Sequence, residues 1–428
     1  MSIIQLLLGN MGVAGGGINA LRGESNVQGS TDQGLLFHIL PGYLATPSTA
    51  WPRLEDYLKR RPKSGDPLSA NWWQNEPKYI VSLLKAYFGD AARKENEFGY
   101  GWLPKLDAGQ AYSWLDLFDA MHAGKIKGFF AWGMNPACSG SNAVKTREAL
   151  AKLDWMVAVN LFDNETASFW RGPGVQPDRI GTEVFLLPAC VSVEKEGSIT
   201  NSGRWMQWRY AGPKPRAESR PDGDIILALG RKVRELYRAE GGAFPEPVLH
   251  LKWDYEGPHG EFDPHRVAQW INGYFLEDVK VGDAVHRKGT RVPAFALLQA
   301  DGSTACGNWI YCGSYPEKGN LSARRGQEDA PNGIGLFPEF AWAWPVNRRI
   351  LYNRASVDAQ GQPRDRKDWV IRWEDGKWVG DVPDGPWPPL GDLKKPNPAS
   401  RWPFIMTVHG FGQIYGPGLN DGPFPEHY

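Results

Sequence analysis

The residues best suited to chemistry lie near the start of the chain. There an apolar run, Ile3 to Leu8, breaks into a glycine-rich stretch from Gly9 to Gly34 with Arg22 in its midst. Glycine permits positive φ and lets main-chain N–H groups approach a ligand closely, while Ser25, Asn26 and Gln28 add neutral donors and acceptors. A guanidinium in such a loop can orient a small carboxylate or phosphate through its donor fork. The same residues also suit a surface turn whose arginine sits in a salt bridge. Gly15, Gly17 and Ala20 fit the G-x-G-x-x-A form of the dinucleotide fingerprint, although the Leu-rich run before them suits a helix as well as a strand. No G-x-x-x-x-G-K-[ST] occurs, which argues against a P-loop nucleotidase.

Further candidates depend on the elements that place them. Between Trp114 and Leu187 apolar runs alternate with helical patterns: a helix from Trp114 to Ala123, a strand from Ile126 to Trp132 and a helix from near Ser141. Strands from Trp155 to Val159 and from Val184 to Leu187 follow. This alternation predicts an α/β fold, a doubly wound, mostly parallel sheet, joined to a mixed α+β, loop-rich region. Ligands of such sheets bind beyond the carboxyl ends of the strands, near helix N-termini. That rule selects Gly133 and Asn135 after the first strand and Asp163 after the second. An acidic side chain there suits a ribose hydroxyl or the N–H edge of a guanine. Asp163 equally suits a helix cap ahead of Asn164-Glu165-Thr166-Ala167; the ligand role is favoured because of its place in the fold. The polar stretch Glu194 to Arg209 reads as a glycine-turned hairpin with Trp205 and Trp208 in the core, and its Asn and Arg side chains can also hold phosphate or ring heteroatoms. Helices are expected over Glu76 to Phe88 and Asp224 to Tyr237. His38, in the apolar segment Leu35 to Tyr43, suits either a satisfied core position or a channel wall.

The composition bounds the function. At 428 residues there is room for two or three domains. A net charge of +0 supplies no bulk neutralisation of phosphates, so a general nucleic-acid binder is disfavoured. The four cysteines, Cys138, Cys190, Cys306 and Cys312, form no C-x-x-C pair, and no metal ligands are assigned. Cys306 and Cys312 are near enough in sequence to bridge, with two buried thiols the simpler alternative. No run approaches the ~18 apolar residues of a membrane span.

The run from Leu6 to Tyr43, with ALRGESNVQG at its centre, resembles the active-site segment of the large subunit of respiratory and periplasmic formate dehydrogenases, members of the dimethyl-sulfoxide-reductase superfamily. A second segment, with Thr200, Asn201, Gly203, Arg204 and Gln207, resembles the family's E-G-x-x-T-N-x-G-R-x-x-Q run, which borders the cofactor. Gly302 to Arg325 and Trp342 to Asn353 are similar to the family as well, and packing beneath the site is their expected role. The resemblance implies a bis-molybdopterin guanine dinucleotide carrying molybdenum or tungsten. It implies that Arg22 holds the formate carboxylate, with His38 and Trp114 lining the pocket. It also implies cofactor contacts from Gly23, Gln28, Gly133, Asn135, Asp163, Glu165 and Thr166, beside the hairpin residues.

The family's four-iron, four-sulfur cluster motif and its metal-ligating selenocysteine or cysteine have no counterpart here, so the chain is expected to be an internal portion of a longer subunit, incomplete and inactive alone. Its expected division is 1–34 as the active-site segment, 35–240 as the cofactor-binding α/β domain, and 241–428 as an irregular α+β region leading to a C-terminal domain. By the same resemblance the partners are formate or carbon dioxide and an iron–sulfur electron-transfer subunit, and the compartment is the periplasm. Two other readings are a non-catalytic molybdopterin-binding module, or another molybdopterin oxidoreductase, and an NAD-dependent Rossmann oxidoreductase. The last is disfavoured because no convincing strand–helix–strand unit follows the fingerprint.

Overall fold

A computed structural model describes residues 2–10, 18, 23–61, 72–202, 204–328, 339–344 and most of 362–380. The Gly15/Gly17/Ala20 fingerprint, Arg22, Gly203 and most of the stretch after Trp344 lie outside the described residues. The leading apolar run is helical, α1 (Ser2–Leu7), which settles the choice between strand and helix. Next come α2 (Val27–Asp32), the short strands β1 (Ile39–Leu40) and β2 (Leu44–Ala45), α3 (Leu54–Lys59) and α4 (Glu76–Phe88).

Helix α4 takes the bounds its apolar spacing predicts. Pro77 sits in the first turn, where no N–H is needed, and Gly89 closes the helix with φ +52°. Its buried face carries Tyr79, Ile80, Leu83 and Leu84 into the larger core, where Tyr79 stacks on Trp309 at 4.1 Å. That core also gathers Tyr43, Tyr57, Phe275, Trp309 and Tyr311, so it draws on both sides of residue 240. The stretch Gly302 to Arg325 is therefore packing material, as expected. Cys306 and Cys312 lie there as free, buried thiols, not a disulfide.

The smaller core belongs to the α/β unit. It runs α5 (Trp114–His122), β3 (Gly128–Trp132), α6 (Pro136–Ser139), α7 (Ala143–Leu150), β4 (Trp155–Asn160) and β5 (Glu183–Pro188). The three strands pair in parallel and in chain order, with Phe129 opposite Met156 and Met156 opposite Val184. Phe118, Met121, Ala149, Leu150 and Met156 close the space between α5, α7 and the sheet. Burial of one apolar helix stripe against a nearly continuous apolar strand is what fixes this unit.

The polar stretch is a hairpin, β6 (Gly197–Thr200) with β7 (Trp205–Arg209), and Ser198 faces Trp208 in its register. Trp208 is buried in it and Trp205 half-buried. Beyond lie α8 (Asp222–Glu240), α9 (Pro245–His250) and α10 (Pro264–Asn272). Small antiparallel pieces complete the described chain: β8 (Tyr274–Phe275), β9 (Val279–Val281), β10 (Ala284–His286), β11 (Thr304–Ala305), β12 (Trp342–Ala343), β13 (Ile371–Glu374) and β14 (Lys377–Gly380). Strand β12 lies on the free edge of β7, with Trp342 opposite Met206.

Candidate functional site

Two polar clusters hold nearly all the described candidate residues. The first sits at the carboxyl end of the parallel sheet. Gly133 continues the ladder past β3, its N–H donating to Val159 O at 2.8 Å, and then turns with φ +63°, a conformation suited to glycine. Asn135 follows, and its amide is largely committed. Its Oδ1 accepts from the Thr166 N–H (3.1 Å) and hydroxyl (2.8 Å), and its Nδ2 donates to Glu165 Oε2 (2.7 Å). The fully buried Thr166 hydroxyl in turn accepts from the Ala137 N–H at 3.0 Å.

The helix expected after Asp163 is absent. Asn164 Oδ1 takes the N–H groups of Thr166 and Ala167, which makes a tight turn, and only a single 3₁₀ turn, Phe169–Arg171, follows. The capping role therefore falls to Asn164, one residue later. Asp163 keeps its carboxylate at the rim, 3.2 Å from Arg171 Nη1 and partly exposed. The Asn135 hydrogen bond holds the Glu165 carboxyl below its ordinary range, so it is charged near neutrality. Two carboxylate acceptors thus stand beyond β4, suited to hydroxyl or ring N–H donors.

The second cluster is built on α2 and the hairpin. Gly23, Glu24, Ser25 and Gln28 on one side and Asn201, Gln207 and Arg209 on the other line a cavity of about 860 Å³. Trp205 and Trp208 supply apolar wall, and Arg325 adds a second guanidinium. Arg209 Nε is buried there with no hydrogen-bond partner among the described residues. The hairpin end is locked to α2: the Thr200 N–H donates to Asn26 Oδ1 at 2.9 Å, so the glycine-rich segment and the hairpin meet directly. A Cβ at Gly29 would fall 2.2 Å from Asn26 Oδ1, so this contact requires glycine.

Beneath that contact lies Asp32, fully buried. Its Oδ1 accepts from Tyr43 Oη (2.6 Å), Gln28 Nε2 (2.8 Å) and Arg204 Nη2 (3.3 Å), and its Oδ2 from Tyr311 Oη (2.8 Å). Burial first, and then the Asp32 charge, drive the Tyr311 phenol far above its usual range, so it stays a donor. Tyr43 (φ +60°) and Arg204 (φ +53°) both take the left-handed backbone conformation that side chains rarely adopt. Such strain costs on the order of 1–3 kcal/mol per residue and persists only where the surroundings enforce it.

The remaining candidates lie elsewhere. His38 is exposed, edge-on to Phe37 at 5.1 Å, and is not in the wall of the large cavity. Trp114 packs on Phe118 at 4.8 Å in the smaller core. Arg22 and Gly203 lie outside the described residues, although Gly23 lines the cavity. Sequence reasoning passed over Asp32, Tyr43 and Tyr311, and Asn308, whose amide donates to Asp32 O at 2.7 Å.

No protein-family profile matches the chain. Among curated proteins it is 59% identical to the formate dehydrogenase subunit alpha of Megalodesulfovibrio gigas, with all of the chain and 42% of that relative aligned. It is 54% identical to the formate dehydrogenase 2 subunit alpha (cytochrome c-553) of Nitratidesulfovibrio vulgaris, again over all of the chain and 42% of the relative. The nitrate-inducible formate dehydrogenase major subunit of Escherichia coli is 46% identical with the same coverage. The chain is a formate dehydrogenase alpha-subunit homologue. It spans 42% of the length of these relatives. In this formate dehydrogenase homologue Asp222, at the start of α8, ties the two clusters together. It accepts from the indole N–H of Trp132, the last residue of β3, at 2.8 Å and pairs with Lys195 at the hairpin's foot.

Proposed function

We propose that this chain forms part of a formate dehydrogenase catalytic subunit that converts formate to carbon dioxide, or the reverse, at a bis-molybdopterin guanine dinucleotide centre carrying molybdenum or tungsten. The observation that carries the reading is the meeting of residues 23–28 with the 197–209 hairpin at one cavity, in a chain whose relatives bear the formate dehydrogenase name. The donor set fits such a cofactor. Neutral amides from Gln28, Asn201 and Gln207 suit ring heteroatoms, the indoles of Trp205 and Trp208 suit planar faces, and the unsatisfied Arg209 Nε suits an anionic oxygen. Asp163 and Glu165 supply acceptors for a guanine N–H edge at the sheet's carboxyl end.

Formate loses one proton and two electrons in becoming carbon dioxide. The bound cofactor supplies the electron sink. The protein supplies placement. Arg22 is assigned to the substrate carboxylate, where its fork fixes orientation and offsets charge as the C–H bond weakens. His38 and Trp114 remain candidates for the pocket only by resemblance. An iron–sulfur subunit as electron acceptor and a periplasmic location belong to the same proposal.

The test uses an alpha subunit of the relatives' full length that carries this sequence. Purified protein is analysed for molybdenum, tungsten and guanine nucleotide released on denaturation, and for formate-dependent reduction of a viologen dye. Metal, nucleotide and dye reduction together support the reading. Absence of guanine nucleotide and of formate-dependent reduction refutes it.

A further inference from the structure

The parallel sheet has two faces, and only one of them is closed. Phe129, Met156 and Val184 pack in the smaller core with α5 and α7. The residues that alternate with them share the opposite face. There the registers set Phe130, Val157 and Phe185 in one row across the three strands, and Gly128, Trp155 and Glu183 in the row before it. Phe130 is 44% exposed, Trp155 38% and Phe185 46%. The Trp155 ring stands edge-on to Phe130 at 5.4 Å and fills the space above Gly128, where a Cβ would fall 2.0 Å from it. These aromatics form one surface rather than scattered side chains, and strands of a parallel sheet are ordinarily covered on both faces.

The row nearer the carboxyl ends is shut: Val159 is fully buried, and Trp132 beside it donates to Asp222 at the start of α8. Helix α8 borders the open rows along β3. Its Leu229 and Val233, together with Phe130, Trp132, Leu251 and Trp253, line an apolar groove of about 410 Å³. Ile226, Val233 and Leu236 fall on one stripe of α8 by helical spacing and are all exposed. What stays uncovered beside α8 is the width of β4 and β5. Two strands span about 10 Å, the diameter of one helix with its side chains.

We propose that a single amphipathic helix of the same subunit, from outside these 428 residues, lies beside α8 over β4 and β5. Its apolar stripe covers Trp155, Val157 and Phe185, and a lysine or arginine on its flank pairs with Glu183, which forms no ion pair among the described residues. Two observations select this occupant. The chain spans 42% of the length of its relatives, so the greater part of a subunit of that length lies outside these residues. Helix α8 stands along one side of the open strip, so the flat face of a second copy's sheet cannot approach it, whereas a helix fits between α8 and the edge strand β5. The surface lies at the strand starts, away from the carboxyl ends that carry Asn135 and Glu165, so the inference is independent of the cofactor reading.

The test uses an alpha subunit of the relatives' full length that carries this sequence. Hydroxyl-radical footprinting of the unmodified protein reads side-chain access at Phe130, Trp155 and Phe185, with the buried Phe118 as internal reference. All three are expected to lose labelling down to the level of Phe118. Benzoylphenylalanine in place of Phe185 then identifies the neighbour. Irradiation is expected to join position 185 to a peptide of the same subunit outside these 428 residues, as mass spectrometry would record. If that variant does not accumulate, the same photoreactive residue in place of Glu183, at the rim of the strip, carries the same expectation. Labelling of Phe185 well above that of Phe118 means an open face and overturns the proposal. A cross-link to a second copy, to another subunit or to a segment within the 428 residues overturns it as well, and so does the absence of any cross-link.

Discussion

Replacing Thr166 by valine keeps the shape of a fully buried side chain and removes one oxygen. That oxygen does two things. It donates to Asn135 Oδ1, and it accepts from the N–H of Ala137, the second residue of α6. An N–H in the first turn of a helix has no acceptor within the helix, and Ala137 is fully buried, so water cannot replace the lost partner. The cost is that of one orphaned buried donor, about 1–3 kcal/mol. Asn135 loses less, because its Oδ1 keeps the Thr166 N–H. Hydrogen–deuterium exchange over α6, with the thermal midpoint as a second reading, measures the effect. The Ala137 amide should exchange about 5- to 150-fold faster in Thr166→Val. Thr166→Ser keeps the hydroxyl and should lose only about 0.5–1.5 kcal/mol for the missing methyl, with exchange near wild type. Unchanged exchange in the valine variant would mean that the hydroxyl does not cap α6.

Glu76, 2% exposed, pairs with Arg60, 6% exposed, at 2.5 Å, so Glu76→Gln should destabilise the protein by about 3–5 kcal/mol; Glu55→Gln, at the exposed Lys59 pair, should leave the unfolding midpoint unmoved. Burial raises the Asp222 carboxyl, but the hydrogen bonds from Lys195 and Trp132 outweigh it and hold it below its ordinary range. A depressed folded value means stabilisation that is complete above the unfolded pKa of about 3.9 and lost as pH falls through the folded value; the midpoint gap between wild type and Asp222→Asn should therefore narrow in acid, and a gap constant from pH 7 down to strong acid would contradict this. Of the four cysteines only Cys138 is exposed, so native alkylation should modify Cys138 first and reach Cys306 and Cys312 on unfolding, as peptide mapping would record.

What the sequence made legible was set by local pattern. The bounds of α4, the three parallel strands and the 197–209 hairpin follow from apolar periodicity and glycine placement over a few residues, and each formed nearly where that pattern put it. The alternative of a cap at Asp163 misses by one residue: Asp163 and Asn164 are both good caps by type, and only the backbone direction decides which oxygen meets the N–H groups of Thr166 and Ala167. His38 shows the limit of burial statistics, for Leu35 and Phe37 beside it are 75% and 47% exposed, so the apolar run does not enter the core. Asp32 was invisible for another reason. In Ser30-Thr31-Asp32-Gln33-Gly34 it reads as an ordinary helix end, and its meaning comes from Arg204 and Tyr311, which no local window contains.

The hairpin is held from both sides by groups that need no ligand. At its foot Lys195 meets Asp222, which also holds the last residue of β3; at its tip Thr200 and Arg204 meet Asn26 and Asp32. The strain of a left-handed Arg204 is accepted during folding, where Asp32 and the two tyrosines offset it. A ligand that enters the cavity between α2 and the hairpin therefore finds the hairpin side of the wall already ordered, and loses little free energy in fixing it. The two ties therefore differ in what their loss would do. Loosening the Asp32 tie should weaken retention of whatever fills the cavity, while loosening the Asp222 tie should first alter how the sheet's carboxyl end is held against the hairpin. A long ligand that touches both clusters would feel both changes, and a ligand confined to the cavity would feel only the first.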